Sequence, residues 1–294
     1  MARNKAILEQ LGTPDICVSF YRNDISWLEE FFPRCIFYDK SWRGVPASNY
    51  ASQKSPAEPL RSVYPSINVV ETNQNGYNIA DYLAYIIEFY DVLPPIVYFI
   101  KGNAYPRHVS HDYALRFLRS NVVMGLNEGT HSRNTLAPLV STGTFLEANT
   151  SWYTDIGIHQ PKFFSSFNQF FEFCFPKEEL PTFLSFSPGA CFSIDAASIR
   201  NYPRAFYTNL LSFTLHSRLP AESLYLERYL ECMFAKKPEV SEVMQTNLEE
   251  ETYTLLQRQC RSELDSKKRQ VCRLVLKSLL KIFGFLYLNT ISKL

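Results

Sequence analysis

Residues 79–100 read IADYLAYIIEFYDVLPPIVYFI, and the fold turns on how this stretch divides. Ile79, Leu83, Ile86, Ile87 and Tyr90 recur at helical spacing, so 79–91 forms one amphipathic helix with Asn78 as its N-cap. Pro94 and Pro95 end it, because proline cannot continue the helical hydrogen bonding. The run IVYFI at 96–100 is then a continuous apolar strand. Upstream, DICVSFY at 15–21 and RCIFYD at 34–39 have the same buried-strand character. Asp24 caps a short helix between them. Continuous apolar strands alternating with helices predict an α/β chain: a parallel or mixed sheet covered by helices.

Elsewhere, residues 41–66 are polar and proline-bearing and read as a long loop or lid. Residues 163–175 are helical, 182–194 read as strand, Pro-Gly turn, strand, and 196–216 hold one or two helices. Pro220 opens a further helix, where the lost N–H costs nothing.

The chain has 294 residues, with 30 Lys and Arg against 29 Asp and Glu. Seven of the basic residues and no acid fall in 266–294, which leaves 23 against 29 in the rest. A globally basic nucleic-acid binder is not indicated, and nucleic acid is not an expected partner. The seven cysteines are odd in number, form no CxxC and sit mostly in apolar runs, as reduced buried thiols of a cytosolic protein do. The first ten residues lack a secretory apolar core, and no run reaches the roughly 18 apolar residues of a membrane span. The expected location is cytoplasmic, peripheral on the cytoplasmic face of a membrane if the tail binds there.

Five constellations carry chemistry. Lys101, Asn103, Arg107 and His108 leave the carboxyl end of the 96–100 strand together, where open α/β sheets bind ligands. They suit a diphosphate; a solvated loop is the alternative. Arg22, Asn23 and Asp24 follow the first strand, at the edge where a nucleotide base or ribose sits. Glu147, Asn149 and Trp152 combine a carboxylate, an amide and an indole face, as acceptor sugars favour; a buried Trp and a structural Glu are the alternative. Glu222 and Glu227 are candidate general bases on one helix. Five residues apart, they lie about 140° around the axis and cannot share a face. Each is otherwise the acid of an ion pair. In the tail, Arg269, Arg273, Lys277 and Lys281 form an i, i+4 stripe beside Val271, Leu274, Val275, Leu279, Ile282 and Leu286. That pattern reads as an anchor for anionic lipid or as a helix docked on the body. No Walker A, GxGxxG, HExxH, GxSxG or DxD occurs, and no metal-ligand cluster is evident.

The run NQNGYNIADYLAYIIEFYDVLPPIVYFIKGNAYPRHVS at 73–110 resembles the core of a widespread family of uncharacterised proteins. Its members occur in fungi and in bacterial surface-polysaccharide gene clusters. The family pattern has a Gly-Tyr-Asp/Asn start, a helix with YIIxNYxxLP and a strand ending FxKxNxxPRHVS. The segments EANTSWY, FFSSFNQFF and FSPGACFSIDAASIRNYPRAFYTNLL fit as well. PAESLYLER at 220–228 is similar to Pro-x-Glu-Ala-His-x-x-Glu-Arg, with Ser223 and Leu224 in place of Ala and His. The resemblance covers about residues 15–235.

It implies a GT-A-like (Rossmann-like) glycosyltransferase domain over 1–240 and a helical extension over 241–294 with a basic amphipathic tail. It implies a nucleotide-sugar donor and a glycan or lipid-linked acceptor, with Glu227 or Glu222 as base. Lys101 stands where such enzymes carry the DxD acids, so the resemblance implies metal-independent transfer. No cofactor is called for; a divalent cation such as Mn²⁺ stays open. The other reading is a non-catalytic glycan- or nucleotide-binding scaffold of a polysaccharide assembly.

Overall fold

The computed structural model describes residues 13–40, 60–72, 75–128, 144–149 and 159–291. Their strands are β1 (Ile16–Phe20), β2 (Cys35–Asp39), β3 (Asn68–Glu71), β4 (Ile96–Lys101), β5 (Phe145–Ala148), β6 (Phe183–Phe186) and β7 (Phe192–Asp195). The main helices are α1 (Tyr77–Phe89), α2 (His111–Arg119), α3 (Phe167–Cys174), α4 (Arg204–Thr214), α5 (Ala221–Lys236) and α6 (Glu250–Ile291).

Five strands make one mixed sheet in the order β3-β2-β1-β4-β7. The first four are mutually parallel, and β7 runs antiparallel on β4. Both faces are covered, which is why the strands read as unbroken apolar runs. Cys17, Val97 and Phe99 face a core shared with α1, α3, α4 and α5. Ile16, Val18, Tyr98 and Ile100 face the other core, with Trp27, Leu28, Phe31 and Phe32 of a 3₁₀ segment (Ser26–Arg34) and Phe117 and Leu118 of α2. The chain is therefore α/β with a Rossmann-like arrangement. From β1 it moves outward to β2 and β3, then returns past β1 to β4. The strand order reverses between β1 and β4, and ligands of such sheets bind in the crevice at that point.

Several expectations are refined. Residues 182–194 do contain a Pro-Gly turn, but the flanking strands separate: β6 pairs with β5 in a two-stranded sheet, and β7 joins the main one. The short β3 carries little sequence signal, and the helical turn Leu60–Val63 lies in the stretch expected as loop. Asn78 is inside α1, whose cap position is Gly76. The cap position of the 3₁₀ segment is Ile25, without a side-chain cap bond; Asp24, one residue earlier, makes a local turn, its Oδ1 accepting from the Ser26 N–H at 2.9 Å. Val240, Met244 and Leu256 belong to the large core and Cys260 is buried, so the packed body runs past residue 240 to about Cys260.

Gly76 fixes the start of α1. Its φ is +83°, and Tyr77 follows at +57°. Gly76 N donates to Ser217 O at 2.9 Å, and Gly76 O accepts from Ser223 Oγ at 2.9 Å. A Cβ at this position would overlap the Ala80 methyl. Gly76→Ala should lower the unfolding free energy by about 1–3 kcal/mol, measurable by urea denaturation, because an L side chain strains that backbone.

Candidate functional site

The loops after β1 and β4 meet at the switch point. Ser19 of β1 lies in register with Lys101 of β4. Trp27 Nε1 donates to Gly102 O at 3.0 Å. A Cβ on Gly102 would sit 3.4 Å from Asn23 Oδ1, so the two loops touch. Arg22 has a left-handed φ of +48°, and Asn23 Oδ1 accepts from the Tyr21 N–H at 3.3 Å. The sequence-predicted groups Arg22–Asp24 and Lys101–His108 are thus neighbours.

Lys101 begins a chain of buried charges. Its Nζ donates to the Tyr77 hydroxyl at 2.6 Å and to Glu227 Oε1 at 3.3 Å. Glu227 Oε2 accepts from an Arg228 N–H at 3.3 Å. Arg228 Nε donates to Glu147 Oε2 at 2.8 Å. Side-chain exposures of 8% for Lys101, 11% for Glu227, 4% for Arg228 and 12% for Glu147 put the chain in a low dielectric. Four elements supply it: β4, α1, α5 and β5.

Burial alone would lower the Lys101 pKa, but Tyr77 and Glu227 beside it raise it. Burial would raise the Glu227 pKa, yet Lys101, Arg228 and Arg107 hold it below the usual carboxylate value. Both groups are therefore ionised. Asn103 precedes the short turn Ala104–Arg107, which places Arg107 close enough to act on Glu227.

His108 lies beside this chain and is 3% exposed. Neither ring nitrogen has a hydrogen-bond partner among the described residues. Burial, with Lys101 and Arg107 nearby, keeps its pKa well below the ordinary imidazole value, so the ring is neutral. Gly189, at φ +71°, closes over it: a Cβ there would stand 2.9 Å from His108 Nε2 and 3.3 Å from Lys101 Cδ.

The other predicted residues divide. Glu222 is fully buried away from solvent, with Oε1 accepting from the Lys162 and Phe163 N–H groups at 2.8 and 2.7 Å and Oε2 2.8 Å from His216 Nε2. It pins the segment before α3. Glu147 is joined to Arg228, so it is part of the charge chain. Asn149 is half-buried, its N–H donating to Thr182 O at 3.0 Å. Trp152 lies outside the described residues.

The sequence reading missed two members. Tyr77 reaches Lys101 from the first turn of α1. His159 is buried, hydrogen-bonded to the Leu219 backbone, and feels both Arg228 and Glu227. Tyr77 stands in the Gly-Tyr-Asn start of the quoted run, whereas a lone histidine at 159 gives no signal.

A second polar cluster sits on the same sheet edge. Asp81, one turn after Tyr77, is buried and pairs with Lys40 Nζ at 3.1 Å. It also accepts from Ser19 Oγ at 2.5 Å. Burial pushes its pKa up to about 6, against the opposing pull of Lys40 and Ser19. Among the described residues no group of three His, Cys, Asp or Glu could hold a metal ion, and no helix is long and apolar enough to cross a membrane.

Glu227→Leu leaves Lys101 charged and buried, and should cost about 3–5 kcal/mol in urea denaturation. The double change Lys101→Met with Glu227→Leu should be less destabilising than Glu227→Leu alone; a double variant at the sum of the singles would refute the coupling. The Asp81 carboxyl should titrate near pH 6 by carbon NMR, and higher in Lys40→Met. Because its folded pKa lies above that of a free aspartate, Asp81's contribution to stability falls as pH rises from about 4 to about 6.

Comparison with curated proteins and with solved structures finds no match. A family model described as "Protein of unknown function (DUF3431)" matches residues 16–260, which include every described member of the charge chain. The chain belongs to the DUF3431 family.

Proposed function

We propose that this chain is a GT-A-like glycosyltransferase that moves a sugar from a nucleotide-sugar donor to a glycan or lipid-linked acceptor without a metal. The observation that carries the proposal is the buried ammonium of Lys101 at the carboxyl end of β4, where β1 and β4 meet, ion-paired to Glu227 of α5. That end of the sheet is where a nucleotide diphosphate fits, and the resemblance to polysaccharide-cluster proteins supports the sugar.

In this reading Arg22, Asn23 and Asp24 contact the nucleotide. Lys101, Asn103, Arg107 and His108 hold the diphosphate. The acceptor hydroxyl attacks the anomeric carbon, the bond to the diphosphate oxygen breaks, and that oxygen leaves with the electron pair. Lys101 and Arg107 stabilise the charge it gains. Glu227 takes the hydroxyl proton. Glu222 is not assigned this step, because it is fully buried and holds the Lys162 and Phe163 amides and His216 rather than Lys101. Glu147 and Asn149 serve the acceptor side.

One observation favours the second reading, a non-catalytic binding module. The charges of Lys101, Glu227, Arg228 and Glu147 satisfy one another without a ligand, as a structural network would.

A thermal-shift series with nucleoside diphosphates and their sugars in EDTA separates the readings. A ligand at a hundred times its Kd stabilises by about 2.7 kcal/mol, which raises Tm. The rise should vanish in Lys101→Met. Glu227→Gln should keep the rise but release nucleoside diphosphate about 10²–10⁴-fold more slowly. Binding without any release would leave the module; a rise that requires Mn²⁺ would remove the metal-free mechanism; no rise at all would end the nucleotide-donor reading and leave a glycan-binding module.

A further inference from the structure

The last helix changes surroundings partway along its length. On α6, Leu256 and Cys260 are buried against the body. Glu263 then accepts from Ser165 Oγ at 2.7 Å, and Lys267 Nζ donates to Ser165 O at 3.3 Å. These positions are spaced four, three and four apart, which keeps them on one face of a helix. The same spacing continues to Val271, Leu274 and Ser278. That face therefore carries on past the body, and what it presents there is apolar. Val271 is 58% exposed, Leu274 57%, and the adjoining Val275 52%.

The opposite side is basic but for Leu276, which is 58% exposed. Arg269, Arg273 and Lys277 are exposed and form a stripe at i, i+4, i+8. At 100° per residue, the centre of that stripe lies roughly 150° from the centre of the Val271, Leu274 and Val275 arc. No Asp or Glu occurs after Asp265, and the sequence that follows Ser278 is mostly apolar with Lys281 and Lys293.

We propose that the distal half of α6 lies on an anionic lipid surface, with the Val271–Leu274–Val275 face in the headgroup–acyl boundary and the basic stripe against the headgroups. Two features choose lipid over a second copy of the chain. A pair of these helices would bring five or more positive charges together from each partner with no acid to meet them. A face that switches from body contact to exposed aliphatic side chains along one helix suits a planar boundary beside the body, where apolar area and charge are buried together. The inference is independent of the proposed transfer reaction.

The test is co-sedimentation of the full chain with phosphatidylcholine vesicles containing phosphatidylserine, and with phosphatidylcholine alone. The chain should sediment with the anionic vesicles only. Raising salt shortens the screening length from about 10 Å at 0.1 M to about 3 Å at 1 M and should release it. Each basic residue near such a surface contributes about five-fold in partitioning, so Arg269→Gln, Arg273→Gln and Lys277→Gln together should weaken it on the order of a hundred-fold. Val271→Asp with Leu274→Asp should abolish it, with the melting temperature of every variant unchanged. Equal binding to neutral vesicles, or no binding to either, overturns the proposal. So does a concentration-dependent dimer that forms without vesicles and is lost in the Asp variant, which would assign the face to a second copy.

Discussion

The ion pair between Lys101 and Glu227 is the constraint around which the carboxyl edge of the sheet is arranged. Lys101 is buried and the Glu227 side chain only 11% exposed, and neither tolerates this alone, since an isolated ion in a low dielectric costs several kcal/mol. Glu227 must therefore be delivered to β4 by α5, and α5 must be held in place. Ser223, on the same helix, grips the Gly76 carbonyl, which in turn sets the left-handed start of α1 and brings Tyr77 over Lys101. Arg228 shares Glu227 with Lys101 and reaches on to Glu147, so the small β5–β6 sheet is tied into the same chain. Two cations and two anions alternate along it. Removing one leaves its neighbours with an unbalanced charge.

Two carboxylates on α1 and α5 show how closely the surroundings decide the charge state. Asp81 and Glu227 are both buried beside a lysine. Asp81 has Lys40 and hydroxyl donors, which do not outweigh desolvation, and its pKa rises to about 6. Glu227 has Lys101, Arg228 and Arg107, and its pKa falls. The second and third cations reverse the sign. One edge of the sheet thus carries an acid that titrates near neutrality and another that stays ionised, a separation that enzymes use to divide proton-transfer roles.

The sequence made the central strands legible because each is buried on both faces and so reads as an unbroken apolar run. It also made Lys101 legible, as a cation leaving such a strand. The helical spacing of Glu222 and Glu227 predicted that they diverge, and they do: one pins backbone amides, the other meets Lys101. What spacing cannot give is which of the two faces the sheet. That depends on how α5 is rolled about its axis, which is set by contacts with α1, α4 and β6 that are distant in sequence. His159 was illegible for a related reason, since only the packed chain brings it to Arg228 and Glu227. β7 was legible as a strand but not as the antiparallel partner of β4, because four-residue strands carry no record of their neighbour.

A site whose charges already satisfy one another still binds an anion if the anion offers a better partner. Under the proposed reading, a diphosphate at Lys101 competes with Glu227 for the same ammonium. Lys101 gains a doubly charged partner, while Glu227 keeps Arg228 but loses Lys101. Its desolvation is then less fully offset, and its pKa must rise. A carboxylate too weak to take a proton in the empty site becomes a stronger base once the donor is in place. The cost of breaking the pair is drawn from donor affinity and reappears as basicity where the acceptor hydroxyl must lose its proton. The same coupling gives His108 a purpose consistent with its unpartnered nitrogens: a neutral ring beside Lys101 costs little while the site is empty, and it has a hydrogen bond to offer when an oxygen anion arrives.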